Sequence, residues 1–402
     1  LDRPRLVVSR GRRVRPHQRT GEPWGELLYI TSQAFPATKA SGVQVMQMCA
    51  AFASAGAKVK LVTQKPDSGI LSATNLQQYY NVRPNFEIEQ LPRSHGPRPT
   101  DMFQVKAILK ERGKSKLCYT RGRDVTAAIL GLILGMHSMV EIHGKPVSLR
   151  EQIMLRFIQL HPRGMLVAIT SALKELYTNQ LGFGHYRWIV APSGVDATRF
   201  NPNTSVAAAR SQLNMESGTW LVYVGGLYEG RGLDVLFESV AKLAVKVMIV
   251  GGRNSEEVHK WKCKARTLRV HNVHFAGYQA PERVPLYLAA SDMLIMTYDK
   301  HVYTPSGEET SSWASPMKML EYMAASRPII ASDVPMLRNL LTDEYNALLV
   351  TPGDATSLRN AIRRLINNPK LGHHIATNAR TDVDKHTWID RAQHIINQLE
   401  IR

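Results

Sequence analysis

The chain has 402 residues, 44% hydrophobic and 21% charged, a globular composition that excludes collagen, coiled coil and disordered polymer and is long enough for two domains. Lysine plus arginine reaches 51 against 33 for aspartate plus glutamate, a formal charge of +18. Cys49, Cys118 and Cys263 lie too far apart for a disulfide framework or a paired zinc ligand set, which predicts reduced thiols, a cytoplasmic setting and no zinc site.

Residues 1–25 are expected to be a basic flexible extension. The first 20 residues hold seven arginines and one acid, Asp2, so this arm supplies +6 of the +18. It could touch nucleic acid or anionic lipid, or be a passive tail; no aromatic residues interleave the arginines, and specific nucleic-acid binding is not expected. The arm also lacks the apolar core of a secretion signal.

From Glu26 onward, β-branched runs alternate with helical patterns. Leu27 to Thr31 reads as a strand, followed by a loop at Gly42 and a helix with Val45, Met48, Cys49 and Phe52 on one face. Gly56 caps that helix, and Lys58 to Thr63 is the next strand. Further strands are predicted at Phe86 to Leu91, Leu117 to Thr120, Met139 to His143, Leu166 to Thr170 and Trp188 to Ala191. The apolar stretch Thr126 to Val140 is too short to span a bilayer and reads as a buried helix. The rhythm restarts at Trp220 to Val224, with a helix burying Leu233, Leu236, Phe237 and Val240. Strands follow at Val245 to Val250, Val273 to Phe275, Met293 to Met296, Ile329 to Ala331 and Ala347 to Val350. This is an α/β chain of two tandem, doubly wound, Rossmann-like domains facing a central cleft, with boundaries expected at 26–195 and 196–383. A final segment, 384–402, carries Trp388, Ala392, Ile395, Ile396 and Leu399 on one stripe and is expected to cross back onto the first domain.

Several residues could carry chemistry. Ser315-Pro316-Met317-Lys318 reads as a helix start with Ser315 as N-cap, Pro316 at N1 and Lys318 at N3. A cation there opposes the helix dipole unless an anion binds, in which case free amides and Lys318 converge on it. Glu321, one turn on, is placed to accept hydrogen bonds from a ribose diol; the alternative is a Lys318–Glu321 surface pair. Gly225 and Gly226 leave a strand and allow close backbone approach, and Arg231 could fork onto a diphosphate. Gly42 offers the same approach in the first domain, or tight helix–strand packing. His143 ends a strand at the edge where parallel sheets bind ligands, unless it is merely structural; Arg121 and Arg123 share that edge. The irregular segment from Tyr298 to Trp313 has the length of a functional loop.

Together these segments resemble the large retaining glycosyltransferase family conventionally numbered four, whose fold is the two-domain GT-B. Ala191 to Pro202 is similar to the family's PNGVD…FxP linker, and Val224 to Leu227 with Arg231-Gly232 to its VGRLxxxKG element. Ser315 to Ser332 resembles its LEAMACGxPVVAS region, and Trp388 opens a similar terminal helix. The resemblance implies a nucleoside-diphosphate sugar, UDP- or GDP-linked, held mainly by the second domain. It also implies a glycan, lipid-linked or small-molecule acceptor on the first, and no cofactor or metal. Glu321 would hold the ribose, the amides at Pro316 and Met317 would cap the diphosphate, Arg231 would take a phosphate-binding lysine's part, and His143 would lie near the transferred sugar. Departure of the diphosphate by a front-face mechanism is the implied chemistry.

Two positions depart from the pattern. Trp313 stands where the family has a glutamate eight residues before Glu321, with Glu308 and Glu309 in the preceding loop, and Gly226 replaces the arginine of VGRL. Two other readings are a nucleotide-sugar epimerase or hydrolase on the same fold, and a non-catalytic binder of polyanions or membrane surfaces. The basic balance also suits peripheral contact with an anionic inner membrane surface.

Overall fold

The computed structural model describes residues 26–400 other than 38, 68, 201–203, 253 and 305–306. The arginine-rich extension and Asn201-Pro202 of the linker motif therefore lie outside the described residues. Seven strands form the first sheet: β1 (Glu26–Ala34), β2 (Lys58–Gln64), β3 (Glu87–Leu91), β4 (Leu117–Arg121), β5 (His137–Ile142), β6 (Gly164–Ala168) and β7 (Trp188–Val190). Their order is β3-β2-β1-β4-β5-β6-β7, and all pairs are parallel. The connecting helices are α1 (Ala40–Ser54), α2 (Ala73–Tyr79), α3 (Pro99–Lys110), α4 (Val125–Ile133), α5 (Leu149–Leu160) and α6 (Ser171–Glu175).

The second sheet has the order β10-β9-β8-β11-β12-β13 and is also parallel throughout. Its strands are β8 (Trp220–Val224), β9 (Lys246–Val250), β10 (Val273–Gly277), β11 (Met293–Met296), β12 (Ile329–Ser332) and β13 (Leu348–Val350). Its helices are α7 (Val206–Gln212), α8 (Leu233–Val240), α9 (Ser255–Thr267), α10 (Val284–Ala289), α11 (Met317–Ala324), α12 (Pro335–Arg338), α13 (Ala355–Asn367) and α14 (Pro369–Val383), followed by α15 (Trp388–Glu400). Both sheets are covered on both faces, which is why Leu27, Leu28, Tyr29 and Ile30 in β1, and every residue of β8, are buried without alternation.

Each sheet reverses its winding once, between β1 and β4 and between β8 and β11. The crevices beyond the carboxyl ends of those strands are where such sheets receive ligands. Helix α15 returns to the first domain as its apolar stripe predicts. Trp388, Ala392, Ile395 and Ile396 are at most 5% exposed and join the cluster of Val45, Met48 and Phe52 on α1. Burying each isoleucine contributes about 1.5–3 kcal/mol.

Two local expectations are corrected. Gly42 is not in a loop but in the first turn of α1, its N–H donating to Lys39 O at 2.9 Å. A Cβ there would lie 2.9 Å from the Tyr80 hydroxyl and 3.1 Å from Gln33 Nε2, so close packing accounts for the glycine. His143 lies just past β5, which ends at Ile142, and is therefore the first residue of a loop.

Candidate active site

On the first domain the site is built around a carboxylate. Glu141, in β5, is wholly buried and accepts from the Tyr119 hydroxyl and the Gln44 amide, while His143 Nε2 lies 2.7 Å from its Oε1. Arg391 of α15 completes the shell, its Nη2 lying 3.0 Å from Glu141 Oε2 with the two side chains 3% and 0% exposed. Burial pushes the Glu141 carboxyl up, but the Arg391 guanidinium and His143 outweigh it and hold the group well below the usual carboxylate range. The same guanidinium donates to Ala191 O and Pro192 O, at 3.0 and 2.8 Å, so α15 also clasps the start of the interdomain linker.

His143 is pushed down to about 4, by burial first and by the Arg121 charge next, with Glu141 only partly opposing. At neutral pH the ring is therefore uncharged. With Nε2–H donating to Glu141, Nδ1 is left as the acceptor nitrogen. Arg121 Nε donates to Gln44 Oε1 at 3.2 Å and so shares this network, whereas Arg123 is exposed. Asp124, at the start of α4, accepts from Ser32 N at 3.1 Å, and burial pushes it up to about 6.

On the second domain, Arg231 lies just before α8, whose N-cap is Gly232 in the left-handed region (φ 63°). Its guanidinium carbon sits 4.3 Å from the Tyr228 ring centre and 4.9 Å from that of Tyr298, and its Nε is buried without a hydrogen-bond partner. A Cβ on Gly226 would come 2.2 Å from the Tyr228 ring, so the residue that replaces the family's arginine makes room for that ring. Gly225 continues β8, with its N–H donating to Val250 O at 3.0 Å. The two glycines thus carry the strand edge up to the Arg231 pocket.

Helix α11 begins one residue later than the sequence suggests. Pro316 is its N-cap, in extended conformation with no side-chain cap bond, so Met317 is N1 and Lys318 is N2. Ser315 is not the cap because its Oγ accepts from Ser193 N, at 3.0 Å, across the linker. The N–H groups of Met317 and Lys318 have no acceptor within the helix. Lys318 Nζ and Glu321 Oε2 are 2.6 Å apart, so the pair foreseen as an alternative is formed, with Glu321 only 11% and Lys318 33% exposed. Tyr322, on the inward face, donates to Ile295 O and accepts from Val224 N, fixing α11 over β8 and β11.

The two halves meet through the segment before α11. This loop is ordered by a Tyr303–Glu309 bridge and by Thr310 N donating to Val302 O at 2.8 Å. Glu308 Oε1 accepts from Lys145 N at 2.7 Å, two residues beyond His143. Trp313 is 5% exposed and packs among Ile142, Leu173, Tyr177 and Trp188 of the first domain, and its carbonyl accepts from Thr170 Oγ1 at 2.8 Å. At the other rim, the hydroxyls of Tyr79 and Tyr278 are 2.8 Å apart. Met317 packs against the α1–α15 cluster, which places the N-terminus of α11 against the first domain.

Sequence reasoning missed Glu141, Gln44, Tyr119 and Arg391. Burial of an acid in a strand is visible as Glu141 interrupting an apolar run, but its partners come from three other elements. Among the described residues no group of three or more His, Cys, Asp and Glu side chains could hold a metal ion.

Residues 207–382 match the Glycosyl transferases group 1 family. An uncharacterized glycosyltransferase of Methanocaldococcus jannaschii is 22% identical over 256 residues, 61% of this chain and 62% of that protein. The chain thus spans about three fifths of the length of that curated relative. The fold is that of sucrose-phosphate synthase from Thermosynechococcus elongatus, with a TM-score of 0.72 at 20% identity over 94% of this chain and 98% of the other. Anabaena HepE, solved with UDP and glucose, gives a TM-score of 0.72 at 18% identity over 94% of this chain and 100% of the other. The match to glycosyl transferases group 1 thus covers residues 207–382, less than half of the chain, while the described residues as a whole have the two-domain GT-B fold of these solved structures.

Proposed function

We propose that the protein transfers a sugar from a nucleoside-diphosphate donor to a hydroxyl acceptor with retention at the anomeric carbon, without a metal, at the cytoplasmic side of a membrane or in the cytoplasm. The observation that carries this reading is the Arg231 guanidinium, held between Tyr228 and Tyr298 with a buried, unpartnered Nε, at the carboxyl ends of β8 and β11, the two strands to which Tyr322 ties α11. A fixed cation with spare donors and a helix N-terminus is a receptor for a diphosphate. Lys318 would turn from Glu321 to the diphosphate, freeing Glu321 for the ribose hydroxyls. That HepE, of the same fold, was solved with UDP supports a nucleotide as the ligand.

In the step itself the bond from the anomeric carbon to the β-phosphate oxygen breaks, and its electron pair goes to the diphosphate. The acceptor oxygen bonds to that carbon on the same face, and its proton passes to the departing diphosphate. The protein's contribution is charge stabilisation by Arg231, Lys318 and the α11 amides, prepaid in the folding of the crevice. Neutral His143 offers Nδ1 as an acceptor to a sugar hydroxyl, held in that tautomer by Glu141.

The test is a thermal-shift screen of nucleoside diphosphates followed by turnover of the matching nucleotide sugar. Stabilisation by one nucleotide, with sugar release only when an acceptor is present, is the expected result. Release without acceptor would make the protein a hydrolase or epimerase, and no stabilisation by any nucleotide would remove the donor site.

A further inference from the structure

We propose that helix α5 is a docking surface for an anionic lipid bilayer. The helix is apolar on two opposite sides. Leu155 and Ile158 are fully buried against the first-domain core. Facing away from that core, Leu149 is 72%, Ile153 58%, Phe157 47% and Leu160 65% exposed, and Val147 just before the helix is 60% exposed. At about 100° per residue these four helical side chains fall within an arc of roughly 80°. Arg150 borders one edge of the arc and Arg156 the other.

One packed face explains one apolar stripe; the second stripe needs another partner. Its surroundings identify the partner by charge. From Lys145 to Arg163 the chain carries four cations (Lys145, Arg150, Arg156, Arg163) and a single acid, Glu151, which is turned onto Val147 N at 2.9 Å. Arg150 pairs with Asp101 of α3 at 2.9 Å and Arg156 donates to Leu181 O, so with Asp101 counted the patch keeps a surplus of two positive charges. Long basic side chains bordering an apolar strip lay their stems along hydrocarbon and hold their charges at headgroup level. Helix α4 packs on α5 and α3 packs on α4, and these two helices also expose apolar side chains, Met102 and Leu109 of α3 and Ile133 at the end of α4 being 40%, 51% and 69% exposed. A second copy of the chain fits worse, because a two-fold contact through α5 would set these arginines against their own copies. The helix starts six residues after His143, so a bilayer beneath it would lie beside the acceptor side of the crevice. The docking itself does not depend on which sugar is moved. Only the delivery of a membrane-held acceptor rests on the transferase reading.

The experiment is co-sedimentation of the full chain with phosphatidylcholine vesicles, with and without phosphatidylglycerol, in the absence of donor. The double variant Ile153→Ser/Phe157→Ser alters only outward side chains, and its fold is checked by its melting temperature and by its nucleotide-induced thermal shift. The wild type should pellet with the anionic vesicles, and the double variant should lose about tenfold or more in partition constant, as expected when apolar area is the anchor. Arg150→Gln/Arg156→Gln should lose binding to anionic vesicles and gain none to neutral ones. Equal pelleting of wild type and Ile153→Ser/Phe157→Ser would overturn the proposal and assign vesicle binding to other basic segments, residues 1–25 included. Failure of the wild type to pellet would also overturn it, and a light-scattering dimer dispersed by the same variant would give the stripe to a second copy. Because nucleotide binding is read separately, loss of the donor reading and loss of the docking reading are distinguishable.

Discussion

Replacing Arg391 by methionine keeps most of the side chain's volume and removes the only guanidinium that reaches Glu141 among the described residues. The pair is 3.0 Å long with both side chains at most 3% exposed, so the variant would leave a buried carboxylate without its counter-ion and two linker carbonyls without their donor. Removing one member of such a pair costs about 3–5 kcal/mol, on the order of 10 °C in Tm for domains of this size. The companion Glu141→Gln removes the charge from the other side, and the double variant should recover part of the loss, with a coupling of about 2 kcal/mol. Thermal and urea unfolding of the wild type, the two single variants and the double variant measure this directly. Arg391 also acts as a positioning residue. Its positive charge helps hold His143 low, so in Arg391→Met the ring should titrate above about 4, visible in imidazole NMR. If Arg391→Met costs less than about 1 kcal/mol, or the two single variants simply add, α15 is not clamped to the site through this pair.

Glu321→Ala should weaken UDP or GDP binding by roughly 10- to 100-fold, the worth of charged hydrogen bonds to a ribose diol, as measured by calorimetry. Arg231→Ala should weaken it comparably, but with the gap to wild type narrowing as salt rises; a salt-independent loss would mean that Arg231 serves packing against Tyr228 instead. The folded value of His143 lies below its ordinary 6.5, so the stability gained by keeping the ring neutral is present above pH 6.5 and lost as pH falls toward about 4. Turnover should therefore show no His143 titration between pH 6 and 8 and should fall on acidification toward about 4, and His143→Asn should abolish that limb of the profile. Trp313→Ala should destabilise by about 3–5 kcal/mol and separate the domains, seen as resolved unfolding transitions in calorimetry.

Much of this architecture is written in local periodicity. Short β-branched and apolar runs place the strands within three residues of their observed ends, most closely for central strands such as β8 and β11, because a parallel strand buried on both faces must be apolar throughout. The stripe of α15 likewise predicts a helix that docks, and glycines at 225 and 226 mark a strand edge that must stay narrow. Departures arose where a residue's partner is remote. Ser315 has the composition of a cap, but the Ser193 amide claims its hydroxyl and Pro316 takes the cap position. Trp313 is unremarkable as one apolar residue in a polar loop, and only the packed structure shows it filling the other domain's core.

By itself the sequence of 402 residues determined two parallel α/β domains, their glycine-edged crevices and a basic surplus suited to an anionic ligand. The tertiary structure decided the electrostatics of the site. Glu141 gathers Tyr119 from 22 positions away, Gln44 from 97 and Arg391 from the last helix, and the hydrogen bonds that set the state of His143 exist only when those elements pack. Local spacing encodes which face of an element is apolar, because that depends on neighbours along the chain. It cannot encode which charges share a buried volume, because that depends on contacts across it.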